Sequence, residues 1–154
     1  MKKKFQFSLW IKHFLINLIF VFPVILNAQT ERKIIFTDKA PKPIGPYSQA
    51  IKAGNTVYVS GQIALKADGS MDSTSIENET KQVIENIKLI LEEAKMNLKN
   101  VVKSTIYVTD LKNFKKINDT YALYFSQNPP ARETVEVKSL PKGAHVEVSV
   151  VAVQ

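Results

Sequence analysis

The 154 residues contain no cysteine, which excludes disulfides, thiolate nucleophiles and zinc–thiolate sites. Histidine is scarce: only His145 lies beyond the N-terminal segment, so a metal centre would find few nitrogen ligands. A one-sided charge is missing as well. The formal charge of +7 is concentrated in residues 1–28, where Lys2, Lys3, Lys4 and Lys12 stand without an acid; the remainder holds 17 basic against 14 acidic side chains. A surplus that small lacks the electrostatic footprint of a nucleic-acid binder and argues against such a partner. Nor does any uninterrupted apolar run reach the ~20 residues of a spanning helix, because Lys12 and His13 break the N-terminal one.

What is present is 45% apolar residues in a length that suits one domain, enough for a real core. The first 28 residues pass from a basic start through an apolar segment, Phe14–Leu26, to Ala28 before Gln29. That is the order of a secretory signal peptide cut after Ala28. The expectation is a signal peptide at 1–28 and a single domain at 29–154, exported to the periplasm or the exterior, touching a membrane only through the N-terminal segment. An uncleaved membrane anchor is the alternative.

Arg32–Phe36 has the composition of a strand, and the following loop, Thr37–Tyr47, carries three prolines and Gly45, so that Tyr47 is presented from a stiff bend. Ala50–Lys52 and Thr56–Ser60 flank Gly54-Asn55 and read as a hairpin, with Val57 and Val59 facing the core. Gly61 directly after Ser60 would let a ligand approach the backbone closely. Over Ser75–Met96, Val83, Ile84, Ile87, Ile90, Leu91 and Ala94 recur at helical spacing behind a capped start. Val101–Thr109 reads as a strand with Val102, Ile106 and Val108 turned inward. Leu111, Phe114, Ile117, Tyr121 and Phe125 space a second helix, Asn118 lies beside its stripe, and Asn128-Pro129-Pro130 ends it.

Pro130–Val137 and His145–Val150 both alternate apolar with polar residues, and the link Ser139–Ala144 has turn chemistry, so the two are expected to pair as antiparallel strands. Val135, Val137, Val146, Val148 and Val150 would then face the core. Arg132, Thr134 and Glu136 would share the opposite face with His145, Glu147 and Ser149. A solvated sheet face is the ordinary alternative for this charge. The fold class is α+β, one mixed sheet with both helices on its valine face. Its other face, with Tyr58, Ser60, Thr105, Tyr107, Arg132, Thr134, Glu147, Val151 and Val153, is too apolar to stay wholly wet, which suggests burial against further copies with polar sites in the clefts between subunits.

Four linked segments, Ile44–Ala50, Tyr58–Ile63, Pro130–Val137 and Leu140–Glu147, resemble the signature segments of the reactive intermediate deaminase A (RidA/YjgF) family in order and spacing, from about Lys39 to Val153. The resemblance implies a chorismate-mutase-like fold that forms a homotrimer. It implies hydrolysis of 2-imino acids, of the 2-iminobutanoate and 2-iminopropanoate type, to 2-keto acids and ammonium without metal or cofactor. Carried over residue by residue, Arg132 would bind the substrate carboxylate and Glu147 would position or activate water. Ser60 and Gly61 would line the pocket, Asn118 would support it, and Tyr47 would reach in from a neighbouring subunit. Thr134 stands where family members usually have cysteine, so its backbone could serve but no thiol can. Ser149 replaces a common second glutamate, and a signal peptide is unusual for the family. Competing readings are an endoribonuclease, for which a basic track is lacking, and a non-catalytic acid-binding or holdase-type protein.

The chemistry fits the residues. A planar guanidinium grips a carboxylate with two hydrogen bonds, which lysine cannot do. The C=N carbon is already electrophilic, so orientation and one general base suffice, the base contributing ~10²- to 10⁴-fold.

Overall fold

The computed structural model describes residues 31–154, and the expected signal peptide with its cleavage point lies outside the described residues. Among the described residues no helix is long and apolar enough to cross a membrane. Six strands form one sheet: β1 (Arg32–Ile35), β2 (Ala50–Ala53), β3 (Thr56–Gln62), β4 (Val101–Val108), β5 (Ala131–Glu136) and β6 (Val146–Val153). Their order is β1-β2-β3-β6-β4-β5. Two helices, α1 (Ile76–Glu93) and α2 (Phe114–Ala122), complete an α+β architecture.

Local chemistry accounts for the elements. Gly54 adopts φ 61° in the two-residue turn that sets Ala53 opposite Thr56, a conformation that costs glycine nothing. Ser75 caps α1 by accepting the Asn78 N–H at 3.1 Å, and Glu77 and Glu79 place negative charge in the first turn. The apolar stripe Val83, Ile84, Ile87, Ile90 and Leu91 is buried against Val57, Ile106, Val146, Val148 and Val150. Asn86 ties helix to sheet by donating to the Ile63 and Leu65 carbonyls at 3.1 and 2.8 Å.

Three expectations change. The strands after Pro130 and after His145 are not partners: β5 pairs in parallel with β4 at the sheet edge, and β6 lies between β3 and β4, antiparallel to both. The reason is the crossover. A strand–helix–strand unit such as β4–α2–β5 brings its strands together in parallel, and the long link after β5, with its tight Pro141–Gly143 turn, lets the chain pass beyond β4. Second, the phase of β5 is inverted. Thr134 sits beside buried Ile106 and Arg132 beside buried Ser104, whereas Val135 is 42% exposed on the side without helices. Alternation fixes a period of two but not which set faces inward. Third, a register shift between Val101 and Lys103 turns Val102 outward and buries Ser104.

Candidate functional site

The expected site residues fall into two groups. In the first, Tyr47, Ser60, Gly61 and Glu147 line a cleft of about 250 Å³ together with Pro43 and Ile63. A β-bulge shapes its floor: the register of β3 on β6 moves from Val59–Val150 to Gln62–Val148, so Ser60 and Gly61 together oppose Ser149. Bulges re-aim side chains in this way. The Glu147 side chain lies directly over Gly61, where a Cβ would come 1.8 Å from its Oε1. The close approach anticipated at Gly61 is therefore made by a carboxylate of the same chain. Glu147 carries no ion pair among the described residues, and burial alone pushes its carboxyl above the ordinary value. A carboxyl raised in this way is a stronger proton acceptor than an exposed one.

The loop above this cleft is held by a residue that the sequence reading did not single out. Gln49 is 2% exposed. Its Oε1 accepts the Thr37 N–H at 2.7 Å, and its Nε2 donates to the Thr37 and Pro41 carbonyls, both at 2.9 Å. The Gln49 carbonyl accepts the Ser60 N–H at 3.0 Å, and the Ser60 hydroxyl donates to the Ser48 carbonyl at 2.7 Å. Tyr47 closes its own bend, its hydroxyl accepting the Ile44 N–H at 3.2 Å. The signal available in the sequence was a glutamine at the end of a proline-rich stretch whose backbone groups needed partners.

In the second group, Arg132 and Asn118 line a separate cleft with Tyr121, Phe125, Pro129 and Pro130. Arg132 Nη2 donates to Asn118 Oδ1 at 2.9 Å, and the guanidinium lies over the Tyr121 ring at 4.8 Å and the Phe114 ring at 5.9 Å. Thr134 shares this side of β5. Burial pushes the Tyr121 phenol above its ordinary value, while the Ser104 hydroxyl and the Arg132 charge offset part of that shift.

Arg132 thus packs against α2, whereas Glu147, which lies between the buried, helix-facing Val146 and Val148, points away from the helices and pairs across the sheet with Tyr107. The expectation that Arg132 and Glu147 share one sheet face is wrong for a single chain, and it follows from the inverted phase of β5. Tyr47 stands with Glu147 of its own chain. His145 also leaves the expected face: its N–H donates to buried Glu79 Oε2 at 2.9 Å and its Nδ1 lies 2.7 Å from Glu79 Oε1, pinning the start of β6 to α1.

A family described as endoribonuclease L-PSP matches residues 37–154. A RutC family protein of Pyrococcus abyssi is 52% identical over 122 residues, covering 79% of this chain and 96% of that one. The 2-iminobutanoate/2-iminopropanoate deaminase of Bos taurus is 44% identical over 124 residues, covering 80% and 90%. Among solved structures, the E. coli YjgF gene product superposes with a TM-score of 0.76 at 36% identity, covering 79% of this chain and 98% of that one. E. coli TdcF with bound serine gives 0.76 at 34% identity with the same coverage.

Proposed function

The chain belongs to the endoribonuclease L-PSP family, which also takes in the RidA and YjgF proteins, and from that membership we propose that it hydrolyses reactive 2-imino acids to 2-keto acids and ammonium at sites built by two subunits. One observation carries the reading: the cation and the carboxylate that this chemistry needs sit on opposite sides of one sheet, each in an open cleft, so only a second copy can bring them together. The helix-free face supports such an assembly. It exposes Ile34, Tyr58 and Val135, and we infer that homotrimerisation buries them.

In the shared site Arg132 of one subunit grips the substrate carboxylate, and Asn118 fixes one edge of the guanidinium. Glu147 of the neighbour, with Tyr47, Ser60 and Gly61 around it, holds a water against the C=N carbon. Glu147 takes a proton from that water as its oxygen adds to carbon, and returns it to the imine nitrogen to give a neutral carbinolamine. Glu147 then takes the hydroxyl proton and passes it to the amine, so that the C–N bond breaks, NH3 leaves and the C=O forms with the carboxylate restored. Thr134 offers a hydroxyl and backbone beside Arg132 but no nucleophile, and none is needed. That a bovine relative is named for imino-acid deamination and that TdcF holds serine, a small carboxylate, support the substrate class. An RNA substrate, which the family description names, is disfavoured by 17 basic against 14 acidic residues after residue 28.

Imines generated in situ by an amino-acid oxidase test this. The protein should accelerate 2-keto acid release over the spontaneous rate, and no acceleration would leave only an acid binder. We also propose export with a mature start at Gln29, to be tested by mass spectrometry of fractionated cells; a cytoplasmic species beginning at Met1 would contradict it.

A further inference from the structure

Arg132 stands on an edge strand and is long and flexible, yet a two-pronged grip on a carboxylate requires its plane to be fixed before substrate arrives. We propose that Tyr121 and Phe114 are positioning residues that hold the Arg132 guanidinium by their ring faces and so aim its N–H edge at the substrate carboxylate; this rests on the deaminase reading above. Phe114, Asn118 and Tyr121 recur at helical spacing along α2 and form one stripe beneath Arg132. Both ring centroids lie within the ~6 Å over which a cation is attracted to an aromatic face.

The division of labour follows from the donor count. Arg132 has five N–H donors, and Asn118 Oδ1 takes one of them on Nη2. Contact of the cation with the ring faces takes no acceptor-bound N–H, so donors remain for the ligand. The Tyr121 ring is itself immobilised: it is 4% exposed and stacked on Phe125 at 4.4 Å with an interplanar angle of 20°.

The hydroxyl tells which part of Tyr121 matters. Buried tyrosine hydroxyls ordinarily find a partner. Among the described residues the Tyr121 and Ser104 hydroxyls are both buried without a hydrogen bond of normal geometry. A tyrosine kept for its hydroxyl would have it well paired; here the ring meets the charge, while the hydroxyl has only the Ser104 hydroxyl near it and no bond of normal geometry. Phenylalanine should therefore replace Tyr121 in this role, and leucine, apolar but smaller and without a π face, should not.

The test has two readouts. In protein labelled with ¹⁵N-arginine, the Arg132 Nε–H resonance, assigned by its loss in Arg132→Lys, should be displaced by the ring faces. Tyr121→Phe should keep that displacement, and Tyr121→Leu should move the resonance toward that of free arginine. With oxidase-generated imines, Tyr121→Leu should raise KM about 3- to 30-fold with little change in kcat, whereas Tyr121→Phe stays within about twofold. Should Tyr121→Leu fail to fold, Phe114→Leu, at a 43% exposed position, should shift the same resonance and KM in the same direction by less. An unmoved resonance and KM in the folded leucine variants would overturn the proposal, as would Tyr121→Phe losing as much as Tyr121→Leu. If the wild type hydrolyses no imine while the resonance pattern holds, the deaminase reading fails and the ring cradle stands.

Discussion

Replacing Gly61 by alanine isolates the geometry of the proposed base, Glu147. A Cβ at that position would lie 1.8 Å from Glu147 Oε1 and 2.7 Å from its Cδ, both far inside the contact distance of such atoms, and a tight 3.1 Å from its Cγ. The backbone there needs no glycine-only conformation, so the whole cost falls on the Glu147 side chain, which must swing aside. Its carboxylate faces an open cleft and can move at about 0.5–1.5 kcal/mol for an unfavourable rotamer, a loss of only a few degrees in Tm. Catalysis should suffer far more. Displacing the carboxylate by an ångström or more from the attacking water should lower kcat about 100-fold. Thermal melts and imine turnover, measured side by side, read the two effects separately. In a double-mutant cycle with Glu147→Gln the losses should fail to add, because both changes disable the same group. Full activity in a folded Gly61→Ala protein, or a loss that adds to that of Glu147→Gln, would refute the reasoning.

Arg132→Lys keeps the charge but loses the fork, so kcat/KM should fall by about 2 to 3 kcal/mol in transition-state terms, roughly 30- to 150-fold, in steady-state assays of the folded variant. Glu147→Gln should abolish most turnover while a 2-keto acid still binds in calorimetry. The same variant should gain stability: because burial raises the folded carboxyl above its unfolded value, the wild type loses nothing below the unfolded value, loses progressively more as pH rises from the unfolded to the folded value, and keeps that full loss above it. Glu147→Gln should therefore melt above wild type at pH 7 to 8, the gap closing as pH falls toward about 4. Gln49→Leu should lower the denaturant midpoint, at about 1–3 kcal/mol for each of the Thr37 and Pro41 backbone groups left buried and unpaired, with faster proteolysis in residues 37–47.

The elements were largely legible. Both helices, the hairpin at Gly54-Asn55 and the strands lie close to where period and turn chemistry place them, because an amphipathic stripe such as Val83 to Leu91 has only one way to be buried. Pairing was less so, since neighbours in sequence need not be neighbours in a sheet. The β4–α2–β5 order did contain the information that those strands run parallel. The candidate site was legible as a set of polar residues but not as a geometry. Arg132 and Glu147 stand out in the sequence as a cation and a carboxylate on alternating strands, yet assigning them to one face required the phase of β5, and a strand polar on both sides does not reveal it. What remained hidden were supporting residues such as Gln49 and Tyr121, whose side chains look like ordinary polar or core residues until their partners are seen.

The central claim, that one subunit supplies Arg132 and its neighbour Glu147, is tested most directly by mixing two dead proteins. Arg132→Ala and Glu147→Gln chains, each inactive alone, are unfolded together in equal amounts and refolded, and imine turnover is measured. If sites form between subunits, an interface in which the Glu147→Gln chain presents Arg132 to the Glu147 of an Arg132→Ala chain is intact, and random assembly of such heterologous interfaces should restore roughly one quarter of wild-type activity per chain. Turnover no greater than the sum of the two separate variants, from a mixture shown to contain both chains in one oligomer, would contradict the shared site.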